Sequence, residues 1–451
     1  MNEYSASLYP YILLALTSLL VNIPLGYIRE NTPKFSLPWL FWIHASIPLV
    51  IYLRMTLGTS RLFIPVCIFW AIVGQIWGSR ARRRVMSQED AERLQQIPKM
   101  DIRKREGIND EEALIVLLNM GGPKTNADVP DFQKRLFSDP LLIRFPMSFV
   151  FQKLFALLLV AFRTKEAQKR YQRIGGGSPI FESTLAQTRA LQAELSRRGR
   201  TLSVTFAFNY SPPFSDDVIQ EAKKAGKKYL LPLSLYPHYS KATTGSNVHY
   251  LRKSAEKNYP TLMFLESSSY YLHDGYIEAF VDRIQEQVRP YESLEDFYLV
   301  FSAHGLPLYF LTEGDPYPFQ ISQTVTKVLA KLNRNDRWII AYQSAVGPLQ
   351  WIKPSTGDVI AALARRNIKK ILIVPISFVT DHIETTCEID MEYRAMAEQA
   401  GIKDFRMSKA IECHPGFICA LADAVERELP AGRNAPDRLE LSGSNLPMQK
   451  N

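Results

Sequence analysis

IVPISFVTDHIETTCEIDMEY, residues 373–393, is the stretch on which the reading of this chain turns. A β-favouring apolar run from Ile371 to Phe378 stops at Thr380-Asp381-His382, and Glu384, Glu388 and Glu392 follow at intervals of four. In a helix that spacing stacks three carboxylates on one face, one turn above the next. Like charges so placed repel, so a helix that keeps them meets cations or protons. The plain alternative is a solvated acidic face behind an N-cap Asp. Cys387, Ile389 and Met391, interleaved among the acids, favour a site instead.

Working outward, short apolar runs alternate with amphipathic helical stretches from about residue 113. The runs are Ala113–Leu118, Leu202–Phe208, Tyr229–Leu233, Phe297–Phe301, Trp338–Ala341 and Lys370–Ile376. That rhythm predicts an α/β fold with parallel sheet, whose sites lie in loops beyond the carboxyl ends of the strands. An internal echo sharpens it. SDDVI (215–219) leads to Lys227-Lys228 and a strand ending PLS (232–234), and TGDVI (356–360) leads to Lys369-Lys370 and a strand ending PIS (375–377). LNMGGP (118–123) matches SAHGLP (302–307), setting Met120 opposite His304. Two matches in the same order predict two homologous lobes, 113–290 and 291–430, facing a shared cleft. The second lobe brings His304 and the 381–384 loop, the first Met120, Tyr171, GGGSP (175–179) and SLYPHYS (234–240). Alone, a histidine just past a strand is more often packed and structural; with His382 and Glu384 at another strand end it becomes a candidate ligand. Such a cleft suits a large flat hydrophobic ligand whose centre meets a metal ion. GGGSP lacks the Lys-Ser/Thr ending of a phosphate loop and follows no clear strand, so close backbone approach is its expected use.

The front of the chain differs in kind. Three uncharged apolar stretches, Leu8–Ile28, Phe35–Leu53 and Leu62–Gly78, approach or reach the ~20 residues that cross a bilayer, and predict a membrane anchor over 1–78. The prolines within them suit membrane helices, and Trp39, Trp42, Trp70 and Trp77 suit the interfaces. Arg80, Arg82, Arg83 and Arg84 mark the far side as cytoplasmic, which puts the N-terminus outside; the loop with Arg54 and Arg61 then also lies outside, against the same rule. The expectation is a multi-pass protein of the cell inner membrane with its catalytic part in the cytoplasm. Residues 79–112 read as a charged linker and 431–451 as a loose tail. The net charge of +9 belongs partly to the anchor, and no basic stripe interleaved with aromatics supports nucleic-acid binding. Four cysteines without a CxxC pair fit a reducing compartment and argue against a tetracysteine iron–sulfur site.

Over about 113–430 the chain resembles ferrochelatase, the enzyme that inserts Fe²⁺ into a porphyrin. The resemblance rests on NMGGP (119–123), RLFSD (135–139), YQRIGGGSPI (171–180), YPHYS and TTGS (236–246), SAHGLP (302–307), GDPYP (314–318), QSAVGP (343–348) and DHIET (381–385). It implies two Rossmann-like lobes around a porphyrin cleft. It also implies that His304 accepts pyrrole protons or binds the metal with Glu384. Asp381 and His382 would be their hydrogen-bonded neighbours, and Glu388 and Glu392 a row conducting metal or protons. Met120, Tyr171, Ser178, Tyr236, Trp351 and Phe378 would contact or border the macrocycle. Fe²⁺ would be a substrate, with no tightly bound cofactor. Asn209-Tyr210 stands where many members carry Arg-Tyr, which puts one metal-access or propionate contact in doubt. Lys241 replaces a cluster cysteine of some animal enzymes, so no iron–sulfur cluster is expected.

The chemistry suits these residue types. A planar macrocycle hides its nitrogen lone pairs, so binding it distorted lowers the barrier. An imidazole can take a proton near neutral pH, and carboxylates suit a dication losing water in steps. Ligand type does not select iron over Zn²⁺ or Co²⁺. Two alternatives stay open: a cobalt chelatase of a reduced tetrapyrrole, and a non-catalytic, membrane-anchored porphyrin or haem carrier. Protoporphyrin IX and coproporphyrin III are both open as substrates, the anchor tilting toward the more apolar protoporphyrin. The anchor could also dock to other membrane proteins of the haem pathway.

Overall fold

The computed structural model describes residues 3–30, 32, 36–96, 107–142, 148–345 and 349–430. The tail expected over 431–451, residues 97–106 of the charged stretch and Val346-Gly347-Pro348 of the QSAVGP segment lie outside the described residues. The chain divides into two units, Met1–Lys99 with Arg144–Leu154, and Met100–Ile143 with Phe155–Asn451.

In the first unit the apolar stretches form α1 (Glu3–Arg29), α2 (Leu37–His44), α3 (Ile47–Thr56) and α4 (Ile64–Gln96). The second stretch is not one helix: Pro48 has no N–H to bond back to His44, and the chain breaks at Ala45-Ser46. The third does not stop at Gly78. Good helix formers carry α4 through the expected linker to Gln96.

Gly74 and Gly78 form a GxxxG spacing that sequence analysis passed over. A Cβ on Gly74 would lie 2.3 Å from the Leu19 carbonyl oxygen, and one on Gly78 1.9 Å from that of Ile23. Helices α1 and α4 therefore touch backbone to backbone. Inside the unit Asn22 Oδ1 accepts from Ser46 Oγ (3.1 Å) and Gln75 Nε2 (3.0 Å). Outside, Leu8, Ile12, Leu16 and Leu20 form an exposed stripe along α1. Polar groups paired within and apolar side chains without is the reverse of a soluble bundle. Three segments, Leu8–Arg29, Pro38–Thr56 and Arg61–Ala81, are long and apolar enough to cross a membrane.

The second unit contains two four-stranded parallel sheets of the same topology. The first has the order β2-β1-β3-β4, from β1 (Ala113–Asn119), β2 (Ser203–Phe208), β3 (Tyr229–Ser234) and β4 (Met263–Phe264). The second has the order β6-β5-β7-β8, from β5 (Tyr298–His304), β6 (Trp338–Gln343), β7 (Lys370–Pro375) and β8 (Asp404–Met407). Six strands fall on the predicted apolar runs. The edge strands β4 and β8 are too short to have made such a run. The helices here are α5 (Val129–Phe137), α6 (Ser148–Arg173, whose first residues up to Leu154 belong to the first unit), α7 (Ile180–Arg197), α8 (Ser215–Lys224), α9 (Ser246–Asn258), α10 (Asp274–Gln285), α11 (Leu308–Thr312), α12 (Tyr317–Lys331), α13 (Thr356–Arg365), α14 (Arg394–Gln399) and α15 (Pro415–Glu428). A π-helix, Ile383–Tyr393, precedes α14.

Strand residues alternate between layers. Ile115 and Leu117 of β1 join one core with Leu299 and Phe301 of β5, while Leu114 and Val116 face a separate outer layer. The two sheets thus share a core instead of owning one each. Helix α15, expected with the second lobe, packs on α7, α10 and β3 of the first, and α10 packs on α12. Phe417 and Leu421 of α15 and Tyr276 and Phe280 of α10 fill this shared core. At the α10–α15 crossing a Cβ on either Gly275 or Gly416 would lie 2.4 Å from the other's carbonyl oxygen. Gly416→Ala should therefore destabilise this unit by about 1–3 kcal/mol, read as a lower denaturant midpoint; an unchanged midpoint would contradict the close packing.

Candidate active site

The carboxyl ends of three adjacent strands of the second sheet deliver the site. β5 ends on His304, β6 on Gln343 followed by Ser344, and β7 runs into Ser377, Phe378 and the π-helix. His304 Nδ1 and Glu384 Oε2 lie 2.8 Å apart. Ser377 Oγ accepts the His304 backbone N–H at 2.9 Å. Gln343, held by the Ser302 hydroxyl (2.6 Å), donates to the Glu384 carbonyl at 3.3 Å. The Phe378 ring stands edge-on to His304 and 4.4 Å from the His382 ring. His382 Nε2 is 3.9 Å from the same Glu384 oxygen.

Of the pair, 35% of the His304 side chain and 25% of the Glu384 side chain remain open. Burial disfavours charge on both, and their attraction outweighs it. His304 is raised above its ordinary value by the charge and hydrogen bond of Glu384, and Glu384 is held at about 2 by His304, aided by His382 and Ser344. Burial lowers His382 against the pull of Glu384 and Asp381. Binding through Nδ1 orients the ring and, among the described residues, leaves its other nitrogen without a protein hydrogen bond.

The three spaced glutamates lie on a π-helix and meet different partners. The π-helix bonds each N–H five residues back, so a four-residue step falls a little short of one turn and keeps the carboxylates on one side, as in an α-helix. Glu388 accepts both the backbone N–H (2.9 Å) and hydroxyl (2.7 Å) of Ser344, and the Tyr393 hydroxyl at 3.0 Å. Burial first, and then the charge of Glu384, raises Glu388. Ser344 sits at φ +63°, a strained conformation that its two bonds to Glu388 hold in place. Glu392 instead meets Arg170 Nη2 at 2.7 Å and Arg173 Nη1 at 3.5 Å.

Burial and then the charge of Glu384 push up both Tyr171 and Tyr236, which places the two phenols in the field of that carboxylate. The Tyr236 phenol also meets the Met120 backbone. Trp351 bridges to Pro307, and a Cβ on Gly305 would lie 3.3 Å from its ring. Two expected site residues turn elsewhere. Asp381 takes the Ala410 N–H at 3.4 Å, while its own N–H goes to Glu412 Oε1 at 2.9 Å. Ser178 seats the glycine run against the 121–124 loop: its N–H bonds the Pro123 carbonyl at 2.8 Å, and its side chain lies where a Cβ on Gly122 would be. Sequence analysis did not single out Ser377, Gln343, Ser344, Tyr393, Arg170, Arg173 or Glu412. Among the described residues no three His, Cys, Asp or Glu side chains are grouped to hold a metal ion.

Residues 112–429 match the family model described as Ferrochelatase. The chain belongs to the ferrochelatase family. A ferrochelatase of Synechococcus elongatus is 40% identical over 323 residues, 71% of this chain and 83% of the relative. That of Gloeobacter violaceus is 40% identical over 322 residues, 70% of this chain and 98% of the relative. Among solved structures, SirB from Bacillus subtilis with Fe³⁺ covers 70% of this chain and 96% of its own at 14% identity and a TM-score of 0.44, too loose a likeness to argue from. The ferrochelatase match covers both sheets and the site, and leaves α1–α4 outside it. This family member is a metal chelatase, a lyase that inserts metal into a tetrapyrrole in porphyrin and haem biosynthesis.

The pair at the site has a definite pH signature. Glu384 is depressed, so its stabilising share is complete above 4.5 and lost as pH falls toward 2; His304 is raised, so its share is complete below 6.5 and lost as pH rises through its elevated value. The stability difference between the chain and its Glu384→Gln variant should be largest between these limits and shrink on either side. A difference that keeps growing in alkali would contradict the pair.

Proposed function

We propose that the chain inserts Fe²⁺ into protoporphyrin IX to form haem with release of two protons, coproporphyrin III being the alternative substrate. The His304–Glu384 pair carries this reading, because it brings one nitrogen and one oxygen ligand together at the strand ends of a ferrochelatase. Glu384 favours the protonated form of the imidazole. A dication arriving at Glu384 takes over the compensation of that carboxylate, so a protonated His304 gives its proton to solvent and becomes the base for a pyrrole N–H. His382 and Phe378 fix the far side of the pair, and Asp381 acts through His382. Glu388, with its pKa raised, suits a station for protons or metal, and Glu392 ends that row. Met120, Tyr171, Tyr236, Trp351 and Phe378 border the macrocycle, and Ser178 sets the glycine run at its edge. Iron passes through as substrate, and the chain carries no iron–sulfur cluster or other tightly bound cofactor. The lobes 113–290 and 291–430 form the catalytic part.

His304→Ala and Glu384→Gln should each nearly abolish iron insertion in an anaerobic assay while porphyrin binding, followed by fluorescence, persists. Full activity in either purified variant would refute the assigned roles. Running the same assay with both porphyrins decides between them.

We further infer that residues 1–78 anchor the enzyme in the cell inner membrane, with the catalytic part in the cytoplasm. Support comes from three apolar segments long enough to span a membrane, with polar groups turned inward. The anchor also offers a surface for docking to other membrane proteins of haem synthesis. The full chain should stay in the membrane pellet through alkaline carbonate extraction; its release into the supernatant would count against insertion.

A further inference from the structure

Arg170 and Arg173 stand three residues apart on the last turn of α6, so both face the same way. Both reach Glu392, which lies 222 and 219 residues further along the chain. Two cations on one carboxylate leave the outer end of the acidic row with a net positive charge. The ends of the row differ in partner more than in exposure. Glu384 is paired with His304 and 25% open, Glu388 is half-buried between Ser344 and Tyr393, and Glu392 is held by arginine and 30% open. Tyr393 links them: burial raises its phenol first, followed by the charges of Glu388, Glu392 and Glu384. A cation approaching from the Glu392 end meets two guanidinium groups, 38% and 48% open, beside a carboxylate 30% open.

We propose that Arg170 and Arg173 gate the approach of the metal ion, occupying Glu392 and repelling a dication from the outer end of the row until the pair opens. The gate rests on reading Glu392–Glu388–Glu384 as the route of iron. It makes the two arginines positioning residues, acting through Glu392 and not touching the reacting atoms. The sign of the effect distinguishes a gate from a clasp. Removing an arginine lowers the positive charge at the outer end and frees Glu392 to attract a dication. Removing the carboxylate leaves two unpaired guanidinium groups and strengthens the repulsion. A clasp would be weakened alike from either side. Pairs this exposed contribute little to folding, so the variants remain assayable.

The test is anaerobic steady-state insertion by the full-length, detergent-solubilised protein, with Fe²⁺ varied at fixed protoporphyrin. Arg170→Gln should lower KM for Fe²⁺ and Glu392→Gln should raise it, each by roughly two- to five-fold and less at high salt. Arg170→Lys should leave it unchanged, and Arg173→Gln repeats the first arm should Arg170→Gln fold poorly. KM for porphyrin should not move in any of them. Shifts of the same sign in the arginine and glutamate variants would overturn the gate. Glu388→Gln reports on the route itself. If it leaves KM for Fe²⁺ unchanged, the row does not carry iron and the gate falls with it. If it raises KM while Arg170→Gln and Glu392→Gln do nothing, the route stands and only the gate falls.

Discussion

A carboxylate and an imidazole held below the surface repay their desolvation only when they stay together, and the rest of the site is built to keep them so. Each ion alone would cost several kcal/mol to bury. At 2.8 Å the attraction between His304 and Glu384 outweighs that cost, and both pKa values move toward the charged forms. Ser377 and Gln343 then fix the backbone at each partner, so the pair is positioned by neighbouring strands and not by side-chain contact alone. The same balance suits metal insertion, because a dication can take the place of the imidazolium proton without leaving the carboxylate uncompensated.

Three glutamates at equal spacing end in three electrostatic states. Glu384 is ionised against a histidine, Glu388 is pushed toward its neutral form by burial, and Glu392 is neutralised by arginine. The difference comes from the partners that other elements bring to each carboxylate: His304, Ser344 with Tyr393, and Arg170 with Arg173. The segment itself is a π-helix, a rare turn that clusters at functional sites.

The duplication read in the sequence is present in the structure, since both sheets have the same strand order and Met120 and His304 close equivalent strands. Yet the halves are not separate bodies. One core runs between the sheets, and α15 crosses over to complete the first of them. Sharing a core fixes the two sets of strand-end loops relative to one another.

The sequence by itself determined the α/β class, six of the eight described strands, the repeat and the apolar front segment, and it singled out His304 and Glu384, which the fold brings within 2.8 Å of each other. Each of these is written in local pattern: alternation, runs of apolar residues, or a motif at a strand end. Only the tertiary structure decided that the acidic segment is a π-helix, that α4 runs into the charged stretch as far as Gln96, and that Asp381 bonds to the 410–412 segment and Ser178 to the 121–124 loop. It alone also brought Arg170 and Arg173 to Glu392 and Ser344 to Glu388. Those partners come from elements brought together only by folding, so no local pattern records them. Their pairing follows from packing, which sets where each side chain must find its opposite charge.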